Sequence, residues 1–109
     1  MTIEHRAWLA TPVASLHDLA CMKIYAIAGG GAAKDFWDLY VMMEHGVAGG
    51  DLAVLLERYA RKFPVEDVGH AVGSLAYFGD ADSAPLPLGL SSEMWATIKT
   101  DFAQRVRAL

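Results

Sequence analysis

Within the otherwise greasy stretch MKIYAIAGGGAAKDFWDLY, residues 22–40, stand Lys23, Lys34, Asp35 and Asp38. An ammonium and two carboxylates can make an ion-paired polar site, provided the fold brings them together. At about 100° per residue, Lys23 falls on the same side of a helix as Leu16, Ala20, Ile24 and Ile27. On the following helix Asp35 and Asp38, three residues apart, share a face with Leu39 and Met42. A lone charge on a buried face is strongly unfavourable, and pairing Lys23 with an aspartate relieves much of that penalty. Each charge also has a plainer role open to it. Asp35 suits the first turn of a helix, Asp38 suits a solvated rim, and Lys23 can snorkel out of an apolar face.

The other chemical groups form no recognisable constellation. GGGAAKD lacks the G-x-x-x-x-G-K-[ST] pattern of a phosphate-binding loop and follows a helix instead of a strand, so it reads as a helix-ending turn. His5, His17, His45 and His70 have no metal-ligand spacing. Asp80 and Asp82 lie in a polar turn without the twelve-residue calcium pattern. Cys21, the only cysteine, reads as a core thiol. No nucleophile elbow is present. Trp37, Tyr40, Trp95 and Phe102 read as core or interface anchors.

The elements that must position these groups are helical. A first helix is expected from Ser15, with Ser15 and Asp18 as a capping box, to about Ala28, closed by Gly29, Gly30 and Gly31. A second covers roughly Ala33 to His45 and a third Asp51 to Phe63, where Leu52, Leu55, Leu56 and Tyr59 repeat at helical spacing. A weaker fourth spans Glu66 to Tyr77, interrupted by Gly69 and Gly73. The loop GDADSAPLPLGL, a candidate hinge, leads to a last helix from Ser91 or Ser92 to about Arg107, with Trp95, Ile98, Phe102 and Val106 inward. Residues 2–13 read as extended. The expectation is an all-α fold of about five helices in a small irregular bundle, one domain over residues 1–109.

Composition narrows the class. The chain has 109 residues, 54% of them hydrophobic, a net charge of −4 and a mean hydropathy of +0.26. Such a length carries one core without disulfides. No apolar run approaches the roughly 18 residues of a membrane span, so the greasy excess suggests a face covered by another protein. The scattered basic residues, Arg58, Arg61 and Lys62 excepted, argue against a large nucleic-acid footprint. A lone cysteine and an N-terminus without signal-peptide character point to the cytoplasm.

The segment SLHDLACMKIYAIAGGGAAKDFWDLYVMME resembles the second half of the AbiEii/AbiGii-type nucleotidyltransferase toxins. The resemblance is carried by Asp18-Leu19, Lys23, Lys34-Asp35, Asp38-Leu39 and Tyr40, with SLAYFGDAD and the tryptophan-led last helix also similar, over about residues 13–105. It implies a helical C-terminal region that closes over a nucleotidyltransferase fold. Lys23 and Lys34 would then face nucleotide phosphates, and Lys23, Asp35 and Asp38 would line the cleft, Asp38 in a structural role. The family's Gly-Ser with following paired acids is absent here: Gly73-Ser74 precedes Leu-Ala-Tyr. The resemblance therefore implies a chain inactive by itself, a truncated or split product. Mg²⁺ and a nucleoside triphosphate would be bound with the missing half, and RNA would be the acceptor. The partners expected are a second copy, a protein carrying the missing half, or an antitoxin. A non-catalytic interaction or oligomerisation module is the alternative.

Overall fold

The computed structural model describes residues 13–109. Their elements are α1 (Val13–Ala28), α2 (Ala33–Glu44), a 3-10 turn (Val47–Gly50), α3 (Leu52–Lys62), α4 (Val68–Leu75), the single turn α5 (Gly79–Asp82) and α6 (Ser92–Arg107). Among the described residues there is no strand, so the expected all-α bundle is what forms. Of the segment expected to be extended, residues 2–12 lie outside the described residues, and Val13 is helical.

α1 is the central helix, packing on α2, α3, α4 and the 3-10 turn, while α6 covers α2 and α4. Its starting point corrects the expected capping box. Ser15 lies inside the helix, two residues beyond Val13, and is exposed. The Ser-x-x-Asp spacing matched a cap, but the helix already includes Val13 and Ala14, so Ser15 has no open helix start to cap.

The other caps follow local chemistry. Asp51 accepts from the Ala53 N–H at 2.9 Å, Asp67 from His70 at 3.3 Å and Ser91 from Met94 at 3.0 Å. Each satisfies a donor that the first helical turn leaves open. α4 is shorter than expected at both ends. Instead of being loop throughout, GDADSAPLPLGL begins with the helical turn α5, which buries Ala81.

The turn between α1 and α2 is set by two glycines. Gly30 has φ +98°, the left-handed conformation that closes a helix, and its N–H donates to the Ile27 carbonyl at 3.1 Å. Gly31 lies so close to Ile27 that a Cβ there would stand 2.6 Å from its Cα. Only a hydrogen fits, and α2 therefore departs tight against the end of α1.

One continuous core holds the helices. It includes Ile24 and Ile27 from α1, Phe36, Leu39 and Met42 from α2, Leu52, Leu55, Leu56 and Tyr59 from α3, Ala71 and Leu75 from α4, and Trp95, Ile98 and Phe102 from α6. Phe36 is its aromatic centre, with ring centroids 5.3 Å from Phe78 and 5.7 Å from both Trp95 and Phe102. Tilted and edge-on aromatic pairs of this kind add about 0.5–1.5 kcal/mol each beyond simple burial. Trp37 is buried and Tyr40 half-buried. Among the described residues, the eight large apolar side chains left exposed are spread over α1, α3, α6, the loops and the C-terminus.

Candidate functional site

Lys23 lies five residues before the end of α1, and Asp38 five residues after the start of α2. At 1.5 Å per residue both stand about 7.5 Å from the turn that joins the helices, at the same height. The tight glycine turn thus brings opposite charges face to face. The Lys23 ammonium is 2.8 Å from Asp38 Oδ2 and 3.5 Å from Asp35 Oδ1. Asp38 is the one buried charged residue among those described, 4% exposed, whereas the Lys23 side chain retains 22% of its exposure. The cluster is therefore an ion pair anchored in the core, with its cation reaching the surface.

Asp35 has a second attachment. Its Oδ2 accepts the Ala32 N–H at 3.1 Å, at the start of α2. One carboxylate thereby caps α2 and steadies the lysine of α1. Lys34, the residue between the turn and Asp35, is exposed and joins none of these ion pairs. The structure brings together Lys23, Asp35 and Asp38 and leaves Lys34 on the solvent side. The apolar-face argument located the first three. The rim position open to Asp38 is not the one it takes.

An ammonium has three N–H donors, and two carboxylates face this one. Its remaining donor capacity and its exposed flank are available to an oxygen-rich ligand. Mg²⁺, which the family resemblance implies, does not fit the described residues. No group of three or more His, Cys, Asp or Glu stands together among them, and both aspartates are committed to Lys23. No chemical step is therefore assigned to a metal on this chain.

A second group of polar residues was not apparent from the sequence as a unit. His17, Asp18 and Cys21 of α1 and Arg58, Arg61 and Lys62 of α3 line a cleft of about 300 Å³. Burial, with the nearby Asp18 carboxylate, raises the Cys21 thiol pKa above its ordinary value, while Lys62 and Arg58 oppose the shift. His17 Nε2 accepts the N–H of Ala48 at 3.0 Å, which assigns the ring proton to Nδ1. Ala48 has φ +55°, a left-handed conformation rare for a residue with a side chain. His17 thus supports the 3-10 turn, a role 31 residues away in sequence that no local pattern announces. His70 Nε2 similarly lies 2.8 Å from the Ala28 carbonyl, tying α4 to the end of α1.

An all-helical domain with a lysine–aspartate cluster beside its first turn defines the class, and comparison with known proteins gives the family. Residues 4–109 match the family model described as nucleotidyl transferase AbiEii toxin, type IV TA system. The chain belongs to that family. It is also 43% identical over 70 residues to uncharacterized protein aq_aa25 of Aquifex aeolicus (strain VF5). That stretch covers 63% of this chain and 32% of the Aquifex protein, so the chain spans about a third of that relative's length. No solved structure matches.

Proposed function

We propose that this chain supplies the helical wall of a nucleotidyltransferase site, in which the Lys23 ammonium meets the phosphates of a nucleotide. The observation that carries this reading is the Lys23–Asp38–Asp35 cluster, anchored on a buried carboxylate with its ammonium reaching the surface between α1 and α2, in a member of this toxin family. Phosphoryl-type transfer depends on positioning and charge neutralisation more than on covalent chemistry by the protein. Asp38 and Asp35 act as positioning residues. They fix the ammonium so that it need not be ordered when the ligand arrives. Lys34, exposed at the start of α2, adds charge toward the same ligand.

The Gly-Ser and paired acids of the family lie outside this sequence, so the chain is inactive alone and completes its site with a region carried elsewhere. That region supplies the Mg²⁺ and triphosphate contacts, and an RNA end is the acceptor. An antitoxin is the natural partner of such a toxin, and the compartment is the cytoplasm. The alternative reading, a non-catalytic interaction or oligomerisation module, enters below as a competing outcome.

The test is incorporation of labelled nucleotide into transfer RNA. It is run with the purified chain alone, and with the acid-bearing region of a relative added as a separate polypeptide. Incorporation is expected only in the mixture, and Lys23→Gln, which keeps a donor toward Asp38, should lower it by about 10²-fold. Full activity of Lys23→Gln would overturn the role of Lys23. Transfer by the chain alone would overturn its dependence on a second region. A chain that self-associates tightly and never supports transfer would be an interaction module.

A further inference from the structure

We infer that the cleft between α1 and the last turn of α3 binds a phosphate ester, with Tyr25 beside it as a stacking surface for the attached base. This site is separate from the Lys23 cluster. Lys23 is two residues from Cys21, about 200° around α1, so the cleft opens on the opposite side of that helix.

Charge distribution argues first. In a chain of net charge −4, three cations converge here, Arg58, Arg61 and Lys62, against one lining carboxylate, Asp18. Among the described residues Arg58 and Arg61 form no ion pair. Lys62 makes only a long one, 3.8 Å to an Asp18 side chain that is 72% exposed. An exposed pair of that length is readily exchanged for a better anion. The cations need an outside reason to gather, because a helix C-terminus favours one or two basic residues and Arg58 lies a turn further in.

Shape and chemistry argue next. A cleft of about 300 Å³ accommodates a phosphate group with part of its ester. Guanidinium groups match phosphate oxygens with paired N–H donors. One turn beyond Cys21 on the same face of α1 stands Tyr25, 47% exposed although aromatic. One side of its ring rests on Phe63, centroids 4.9 Å apart, and the Lys62 ammonium lies 5.7 Å from the Phe63 ring centre. Cations and a half-exposed aromatic ring are thus continuous across one surface, the combination that holds a phosphate and a base together.

Two sources of this chemistry, a free nucleotide and a single-stranded polynucleotide, are separated by two probes. One is a fluorescein-labelled single strand of about eight nucleotides, within the usual site size, followed by anisotropy. The other is ADP, followed by calorimetry. The double variant Arg58→Ala/Arg61→Ala should weaken the bound probe about tenfold or more and, for the oligonucleotide, reduce the log–log salt slope by about 1.4, two single-strand contacts at about 0.7 each. Tyr25→Ala should weaken the same probe at least severalfold, and Tyr25→Phe should restore it. Lys99→Ala, which removes a charge on α6, should change neither. Both substituted arginines are exposed, and unchanged circular dichroism would verify the fold. Binding of the oligonucleotide identifies a polynucleotide source, and binding of ADP alone a free nucleotide. Binding of neither probe, wild-type affinity in the double arginine variant, or an equal loss in Lys99→Ala would overturn the site. A Tyr25→Ala variant that binds normally would overturn the stacking role.

Discussion

The Lys23 ammonium and the Asp38 carboxylate, 2.8 Å apart, join α1 to α2 across the glycine turn. The contact serves both packing and the proposed chemistry, and the two roles separate on substitution. Removing one member of a buried pair costs about 3–5 kcal/mol, whereas replacing both with apolar groups of similar volume is often neutral. Lys23→Ala should therefore lower the stability measured by urea unfolding by about 3 kcal/mol, and Lys23→Met/Asp38→Leu should recover most of it. A Lys23→Ala protein with an unshifted urea midpoint would show that the pair contributes little to the fold.

The glycine turn makes a contrasting forecast at neighbouring positions. Gly31→Ala places a methyl 2.6 Å from Ile27 Cα and 2.9 Å from its Cγ1, so the α1–α2 contact must open. A loss of about 1–3 kcal/mol is expected. At Gly29 an added Cβ meets only carbonyl oxygens at 3.6 and 3.7 Å. There alanine should be neutral or stabilise by up to about 1 kcal/mol through reduced freedom of the unfolded chain. Thermal unfolding of the two single variants checks the order.

Arg105 fastens α6 to the opposite end of the bundle. Its Nη1 donates to the Gly50 carbonyl at 2.6 Å, its Nε to Asp101 at 2.7 Å and its Nη2 to Glu44 at 3.3 Å. Three donors in a fixed planar fork cannot be reproduced by one ammonium. Arg105→Ala and Arg105→Lys should both destabilise, by about 1–3 kcal/mol for the alanine variant. Hydrogen exchange should accelerate in α6 and in the 3-10 turn. Full rescue by lysine would contradict a geometric role.

Asp82 supplies a pH dependence. The Trp95 indole N–H donates to its carboxylate at 2.7 Å and holds its pKa below the ordinary carboxylate value, with Lys99 assisting. A lowered folded-state pKa means the unfolded chain takes up the proton first. The contribution to stability is thus present above the unfolded carboxylate pKa, near 3.9, and disappears as pH falls through the folded value. Melting temperature followed from neutral to acid pH should fall less steeply in Asp82→Asn than in the natural sequence. Parallel curves would exclude the linkage.

The sequence by itself determined the five longer helices, most of their ends, the apolar faces and the anomaly of charges on those faces. These are local matters. A 3.6-residue period places Leu52, Leu55, Leu56 and Tyr59 together whatever they pack against, and Gly30 or Ser91 acts on its own turn. The Lys23–Asp38 contact was legible because two helices joined by a tight turn leave little choice of neighbour. Tertiary structure alone decided the rest. It buried Asp38, set Lys34 aside, gave His17 the N–H of Ala48, and gathered Arg58, Arg61 and Lys62 opposite Asp18 and Cys21. The last two relationships join residues 31 or more positions apart. They depend on how α3 and the 3-10 turn dock on α1, which the whole core fixes and no short spacing encodes.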